Sequence, residues 1–259
     1  MQESDSTFSD DLIVGVHSLR EALRSVNIRL DQVLIRAGIR NRQQDEIFRL
    51  AKRARLPIKL VPSEALDRLA QSTKHQGVLG CVSRKNYVPL DVLVHKGKES
   101  CAPGLFLVLD GIEDPRNMGA IIRTAEGAGV DGLIVPDRRT VGMTSVVARA
   151  SAGALEHIDV SRVVNLSHSI EQLKSSGLWV YGLDPNASKS YLDLSYRGPT
   201  VIVIGGEGRG IRPGLLKHCD DHIAIPMQGK VASLNVSVAT SVLLYEVVRQ
   251  RRIKITENN

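Results

Sequence analysis

Short apolar runs alternate with segments whose apolar residues recur every three or four positions, from residue 12 to residue 252. The first block covers residues 12–84. Leu12-Ile13-Val14-Gly15 is a short apolar stretch. His17–Ser25 reads as a helix with Leu19, Ala22, Leu23 and Val26 on one side. Gln32–Ile35 is a strand, and Arg42–Arg55 is a second helix that turns Ile47, Leu50 and Ala51 inward. A strand at Ile58–Val61 follows Pro57. Ser63–Ala70 is helical with a partial capping signal, and Gly77–Val82 is the last strand. This alternation predicts a small α/β layer unit.

Residues 85–104 break the rhythm with Asn86-Tyr87-Val88-Pro89 and Lys96-Gly97-Lys98-Glu99-Ser100, and predict a linker with one short helix near Leu90–Val94. The second block, 105–254, opens on Leu105-Phe106-Leu107-Val108-Leu109, a continuous apolar run of the kind buried in parallel sheets. Asp110–Gly119 reads as a loop and Gly119–Gly127 as a helix carrying Arg123. Further strands are expected at Gly132–Val135, Ile158–Val160, Leu178–Leu183, Thr200–Ile204 and Ile223–Ile225, and helices at Thr144–Ala150, Leu166–Ser175 and Pro213–Lys217. A last helix starts at Ser233 or Asn235, either of which can cap it, and runs to Arg252 with Val238, Val242, Tyr245 and Val248, and Ala239, Leu243 and Val247 beside them, on a face expected to be buried. Strand–helix alternation with apolar strands predicts a parallel sheet covered on both faces.

Composition narrows the partners more than the fold. The 259 residues, 42% hydrophobic and 24% charged, are ordinary for a globular chain. No apolar run approaches the roughly 20 residues that span a bilayer. The polar, acidic residues 1–11 read as a frayed tail and not as a secretory signal. Cys81, Cys101 and Cys219 are scattered, which fits reduced thiols and a cytoplasmic location. A net charge of +6 favours a polyanionic partner. Aromatic residues are only 3%, so an RNA partner would be held through phosphates more than by stacking. The cluster Arg49, Lys52, Arg53 and Arg55 is a phosphate grip or a solvated helix end. His75, in Lys74-His75-Gln76-Gly77, reads as a turn residue.

Familiar cofactor motifs fail. Counted from Gly206, a dinucleotide fingerprint needs glycine where Ile211 stands, and no Gly-Lys-Ser/Thr follows to make a P-loop. His218 and His222 have the spacing of zinc ligands, but a helix end falls between them and no second pair lies nearby, so no metal is expected. Gly205–Gly210 remains, four glycines in six residues after a buried strand, with Glu207 inside them. It is a turn or the rim of a ligand site.

Three segments together carry a resemblance. Asp114-Pro115-Arg116-Asn117-Met118-Gly119 with Arg123-Thr124-Ala125, Ile204-Gly205-Gly206-Glu207-Gly208, and Ile225-Pro226-Met227 through Ser233-Leu234-Asn235-Val236-Ser237-Val238-Ala239 resemble the SpoU (TrmH-like) RNA ribose 2′-O-methyltransferases of the SPOUT superfamily. Val14-Gly15-Val16-His17-Ser18 and His75-Gln76-Gly77 look like that family's substrate-binding unit, so the resemblance covers nearly the whole chain. It implies a SPOUT-type parallel sheet with a C-terminal trefoil knot, preceded by a small α/β substrate-binding domain. It implies S-adenosylmethionine held at Gly205, Ile225, Leu234 and Met227, and a homodimer in which both subunits complete the site. Arg123, Asn117, Glu207, Ser233 and Asn235 match the family's catalytic positions, with Arg123 at the reacting ribose oxygen. A guanidinium stays protonated, so Arg123 is expected to hold phosphate and stabilise the forming alkoxide. The expected substrate is a guanosine of 23S rRNA. A tRNA ribose methyltransferase and a non-catalytic ribosome-assembly factor are the alternatives.

Overall fold

The structure, a computed structural model, describes residues 12–24, 30–39, 41–72, 74–99 and 102–256. The polar segment 1–11 and Cys101 lie outside the described residues. The chain divides into two compact units, one ending at Lys85 and grouped with residues 142–145, the other holding 86–141 and 146 onward.

The first unit runs β1 (Leu12–Val14), α1 (Val16–Arg24), β2 (Leu30–Arg36), α2 (Arg42–Arg53), β3 (Ile58–Val61), α3 (Ser63–Ala70) and β4 (Val78–Val82). The sheet order is β1-β4-β2-β3, with β4 antiparallel to both neighbours and β3 parallel to β2. Strand alternation divides β2 between two cores. Val33 and Ile35 pack with Leu19 of α1 and Ile47 of α2, while Leu34 packs with Leu66 of α3. The full capping box stands at α2, where the Asn41 side chain accepts from the Gln44 backbone N–H and the Gln44 side chain accepts from that of Asn41. At α3 no side chain caps. His75 is a structural brace. Its Nε2 meets Asp67 at 2.9 Å and its Nδ1 accepts from the Gly77 backbone.

The second unit opens with α4 (Leu90–Glu99). The short helix expected near Leu90–Val94 within the linker is present and extends over ten residues to Glu99. Its apolar residues have helical spacing, and Leu93 and Val94 join the core of this unit. There follow β5 (Leu105–Asp110), α5 (Pro115–Gly127), β6 (Gly132–Pro136), α6 (Ser145–Ala150), α7 (Ala154–His157), β7 (Asp159–Val163), α8 (Leu166–Ser175), β8 (Trp179–Leu183), β9 (Lys189–Ser190), β10 (Thr200–Gly205), α9 (Pro213–Leu216), β11 (Asp221–Ala224) and α10 (Val236–Thr256).

The seven strands lie in the order β7-β6-β5-β10-β8-β11-β9, and every pairing is parallel. The uniformly buried β5, β6 and β10 explain their unbroken apolar runs. From β5 the chain first builds outward through β6 and β7. It then returns to build on the other side, where β10 enters between β5 and β8. The β5/β10 boundary is thus the place where the direction of winding reverses. Loops leaving the carboxyl ends of such strands diverge and open a crevice.

Candidate active site

α5 starts four residues earlier than its apolar pattern suggests. Asp114 caps it by accepting from the Arg116 backbone N–H at 2.8 Å, and Pro115 takes the first helical position, where its missing N–H costs nothing. This places Asn117 in the first turn, beside the mouth of the β5/β10 crevice.

The glycine run after β10 is a closed turn. The Gly206 N–H donates to Asp110 O at 2.8 Å, and the Gly210 N–H donates back to Gly206 O at 3.0 Å. A Cβ on Gly205 would stand 1.9 Å from the carbonyl carbon of Gly210, so no side chain fits there. The turn is fastened to β5 by Asp110, which is buried. Its carboxylate accepts from the Arg212 backbone N–H at 3.0 Å and from the Arg212 guanidinium at 2.8 Å. A carboxylate at the end of an apolar strand needs such a partner.

At the C-terminal side, Asn235 and not Ser233 caps α10. Asn235 Oδ1 accepts from the Ser237 backbone N–H at 2.9 Å and its own carbonyl takes the Ala239 N–H. The amide nitrogen of the same side chain faces the other way. It donates to Glu207 Oε1 at 3.0 Å and to Asn117 Oδ1 at 3.2 Å. Asn117 Nδ2 donates to the same Glu207 oxygen at 2.5 Å. One carboxylate oxygen thus gathers the three segments, and Glu207 Oε2 has no partner among the described residues. α5 and α10 are also joined by the Thr124 and Ser241 hydroxyls, 3.0 Å apart.

Two cavities adjoin at this point. The first, of about 400 Å³, is floored by Leu183, Pro185, Ile204, Gly205, Ile225, Met227, Leu234, Val236 and Ala239, with Ser233, Asn235 and Glu207 at its polar side. The second, of about 600 Å³, is lined by Asp110–Asp114, Asn117, Arg139, Arg209 and Arg212. Gly206, Glu207, Gly210 and Val236 belong to both walls. The first has the size and mixed lining of a small-molecule site. Gly205, Ile225, Met227 and Leu234, expected at a cofactor, all line it, as do Ser233, Asn235 and Glu207.

Arg123 stands apart. It lies six residues beyond Asn117 on α5, hence about 9 Å along the axis and about 120° around it. It is exposed, lines neither cavity and has no hydrogen bond or ion pair among the described residues. The other candidates have local partners. His218 Nδ1 lies 2.7 Å from Glu171, and His222 Nε2 lies 2.9 Å from Leu216 O. Arg49, Lys52, Arg53 and Arg55 are exposed at the end of α2. Asp110, Arg212, Arg139 and Arg209 carried no signal in the sequence, apart from the placing of an acid directly after five apolar strand residues.

Comparison with known proteins agrees with this architecture. Residues 104–245 match the SpoU rRNA Methylase family and residues 12–88 match the RNA 2′-O ribose methyltransferase substrate-binding family. A Staphylococcus epidermidis protein assigned to the TrmH family of tRNA/rRNA methyltransferases is 43% identical over 242 residues, 93% of this chain and 96% of that protein. Among solved structures, the SpoU methyltransferase AviRb from Streptomyces viridochromogenes, in complex with the cofactor AdoMet, has a TM-score of 0.60 at 23% identity, covering 93% of this chain and 90% of that one. An RNA 2′-O ribose methyltransferase has a TM-score of 0.54 at 28% identity, covering 93% of this chain and 88% of that one. The chain belongs to the SpoU rRNA methylase family, and it carries the substrate-binding unit of RNA ribose 2′-O-methyltransferases ahead of its methylase unit.

Proposed function

We propose that the protein, an S-adenosylmethionine-dependent RNA ribose methyltransferase, methylates the 2′-oxygen of one guanosine in 23S rRNA. The observation that carries the reading is the pair of adjoining cavities that share Glu207, with Asn117 and Asn235 bonded to its carboxylate at the seam. The smaller cavity fits the methyl donor. Its apolar floor suits a purine, and Gly205, on which no Cβ fits, lets the Gly210–Ile211 backbone close against the end of β10 at the cavity wall. Ile225, Met227 and Leu234 would hold the base through packing and backbone groups. S-adenosylmethionine supplies an activated methyl on a sulfonium.

The chain's own work is positioning and proton handling. A ribose hydroxyl is a poor nucleophile until its proton departs. Glu207 Oε1 is saturated by two amide donors, which fixes the carboxylate and leaves Oε2 to accept from the hydroxyl. Asn117 and Asn235 hold Glu207 in place, Ser233 lines the donor cavity, and Asn235 also starts α10. Held on three elements at once, the carboxylate loses little freedom when substrate arrives.

Arg123 enters through a homodimer. The face of α10 expected to be buried is only partly so within the chain: Leu243 and Val247 are buried, but Val238 and Tyr245 are 47% and 54% exposed, with Val242 between them, and Arg123 stands uncommitted on the neighbouring α5. A second copy covering this face would shield the apolar stripe and bring Arg123 of the partner subunit to the seam. The trefoil knot is proposed for the same region. It is supported by the strand order, in which β10 enters between β5 and β8 and β11 then enters between β8 and β9.

The basic charge and the substrate-binding unit support an RNA partner, and a cytoplasmic location follows from that substrate. The test is transfer of labelled methyl from S-adenosylmethionine to unmodified 23S rRNA, with tRNA and 16S rRNA in parallel, followed by mapping of the 2′-O-methyl. Label at a single 23S guanosine is expected. Label in tRNA alone would replace the substrate and keep the chemistry. Bound cofactor without label in any RNA would favour an assembly factor.

A further inference from the structure

The three arginines of the larger cavity are not equivalent. Arg212 is committed to Asp110. Arg139 and Arg209 line the same space and have no hydrogen bond or ion pair among the described residues. The cavity's acidic groups are mostly occupied as well. Asp110 holds Arg212, Glu207 holds two asparagines, and Asp114 caps α5. That leaves two uncommitted guanidiniums facing Glu113 and the free Oε2 of Glu207.

Arg139 has a second peculiarity. Its φ is +58°, a left-handed conformation that glycine adopts freely and a long side chain does not. The residues after it keep the loop in place. Thr140 Oγ1 donates to Ile112 O at 3.1 Å, and the Val141 N–H donates to the same carbonyl at 2.9 Å. A non-glycine residue held against its backbone preference, with its charge unused and at the rim of a cavity, points to function.

We propose that this cavity receives the target nucleotide, and that Arg139 and Arg209 hold the phosphates flanking its ribose. The inference rests on the RNA methyl-transfer reading and adds its substrate site. The shared wall sets the register. A ribose between the two arginines and Glu207 lies next to the donor cavity across Glu207 and Val236. The guanidinium fork matches two phosphate oxygens, and such contacts position a strand without reading its bases. Arg139 and Arg209 therefore align the strand, and base choice lies elsewhere.

The experiment uses the full-length enzyme and the RNA that the wild type labels. Arg139→Gly, Arg139→Lys and Arg209→Ala are compared for KM and kcat, for the salt dependence of RNA binding, for S-adenosylmethionine affinity and for Tm. Arg139→Gly and Arg209→Ala are each expected to raise KM for RNA about tenfold, the worth of a charge-assisted hydrogen bond. The slope of log affinity against log salt should flatten by about 0.7 for each arginine removed. Cofactor affinity should hold within about twofold, and Arg139→Gly should keep or raise Tm because glycine relieves the backbone. Arg139→Lys should recover part of the KM loss. Unchanged KM and salt slope in both deletions overturn the proposal while leaving methyl transfer intact. A KM rise in Arg139→Gly that comes with lower Tm and weaker cofactor binding, and that lysine does not rescue, overturns it in favour of a structural loop. A wild type that binds cofactor but labels no RNA overturns this proposal together with the reading beneath it.

Discussion

Asp110→Ala tests whether the glycine turn is held by β5. The wild-type carboxylate is 3% exposed and accepts the Arg212 backbone N–H and guanidinium, whereas the Arg212 side chain is 48% exposed. The two halves of the interaction therefore differ in cost. A half-exposed guanidinium that loses its partner turns to water, at a loss of about 1 kcal/mol or less. The backbone N–H cannot move away and costs about 1–3 kcal/mol if it finds no other acceptor. The sum is about 1–4 kcal/mol, which lowers Tm by about 2–16 °C in a unit of this size.

Arg212→Ala separates the halves, because it keeps the backbone bond but leaves the buried Asp110 carboxylate without its counter-charge, and should cost about 3 kcal/mol or more. In the double-mutant cycle the coupling should come to about that same value. The assay is differential scanning calorimetry of the full chain, with S-adenosylmethionine affinity and methyl transfer measured on the same samples. Glu207 rides on the turn that Asp110 fastens, so methyl transfer should fall at least about tenfold in Asp110→Ala. A Tm change below about 2 °C, or a coupling below about 0.3 kcal/mol with cofactor affinity intact, would refute the reasoning.

Three further outcomes follow from the same structure. Gly205→Ala places a Cβ 1.9 Å from the Gly210 carbonyl carbon and 2.0 Å from the Ile211 nitrogen, backbone atoms of the turn itself, so calorimetric titration should find cofactor affinity reduced at least about tenfold. The Arg249 guanidinium, which bonds Glu246 at 2.7 Å, holds the Glu246 carboxyl below its usual range. A depressed carboxyl adds stability above its unfolded pKa and loses it as pH falls through the folded one, so the difference between wild type and Glu246→Gln in urea unfolding should be full at neutral pH and shrink progressively below pH 4.5. Burial pushes the Cys219 thiol up to about 12, so at pH 8 mass spectrometry should find Cys219 labelled by a thiolate-directed reagent only after denaturation.

The sequence showed most of the layer architecture because buried parallel strands are written as apolar runs. Leu105–Leu109, Gly132–Val135 and Thr200–Ile204 all fall inside observed strands. What escaped was short or nonlocal. β9 is two residues long and carries no period. The start of α5 was hidden because Asp114-Pro115-Arg116-Asn117 has no apolar residue, although aspartate before proline is itself a start signal. The strands flanking the crevice, and hence the meeting of Asn117 with Glu207 ninety positions away, depend on the return of the chain to the far side of β5. No local pattern encodes that. Arg139 was invisible for a different reason, since a left-handed backbone at a non-glycine residue leaves no mark in the sequence.

Asn235 shows why the site and the fold are difficult to separate here. One side chain spends its oxygen on the Ser237 N–H and hydroxyl at the start of α10 and its nitrogen on Glu207 and Asn117. Aspartate would cap the helix equally well but has no N–H to give, and it would set a second negative charge against Glu207. Serine would cap with a hydroxyl too short to serve both sides. Asparagine meets both demands, a cap acceptor and a carboxylate donor on opposite ends of one planar group. The same logic applies to Asp110, which ends a strand and fastens the turn that carries Glu207. The seam between the cavities is thus held by groups that also end β5, start α5 and start α10. Its geometry is as rigid as the sheet and helices themselves, which is what a reaction governed by alignment of a hydroxyl with a methyl donor requires.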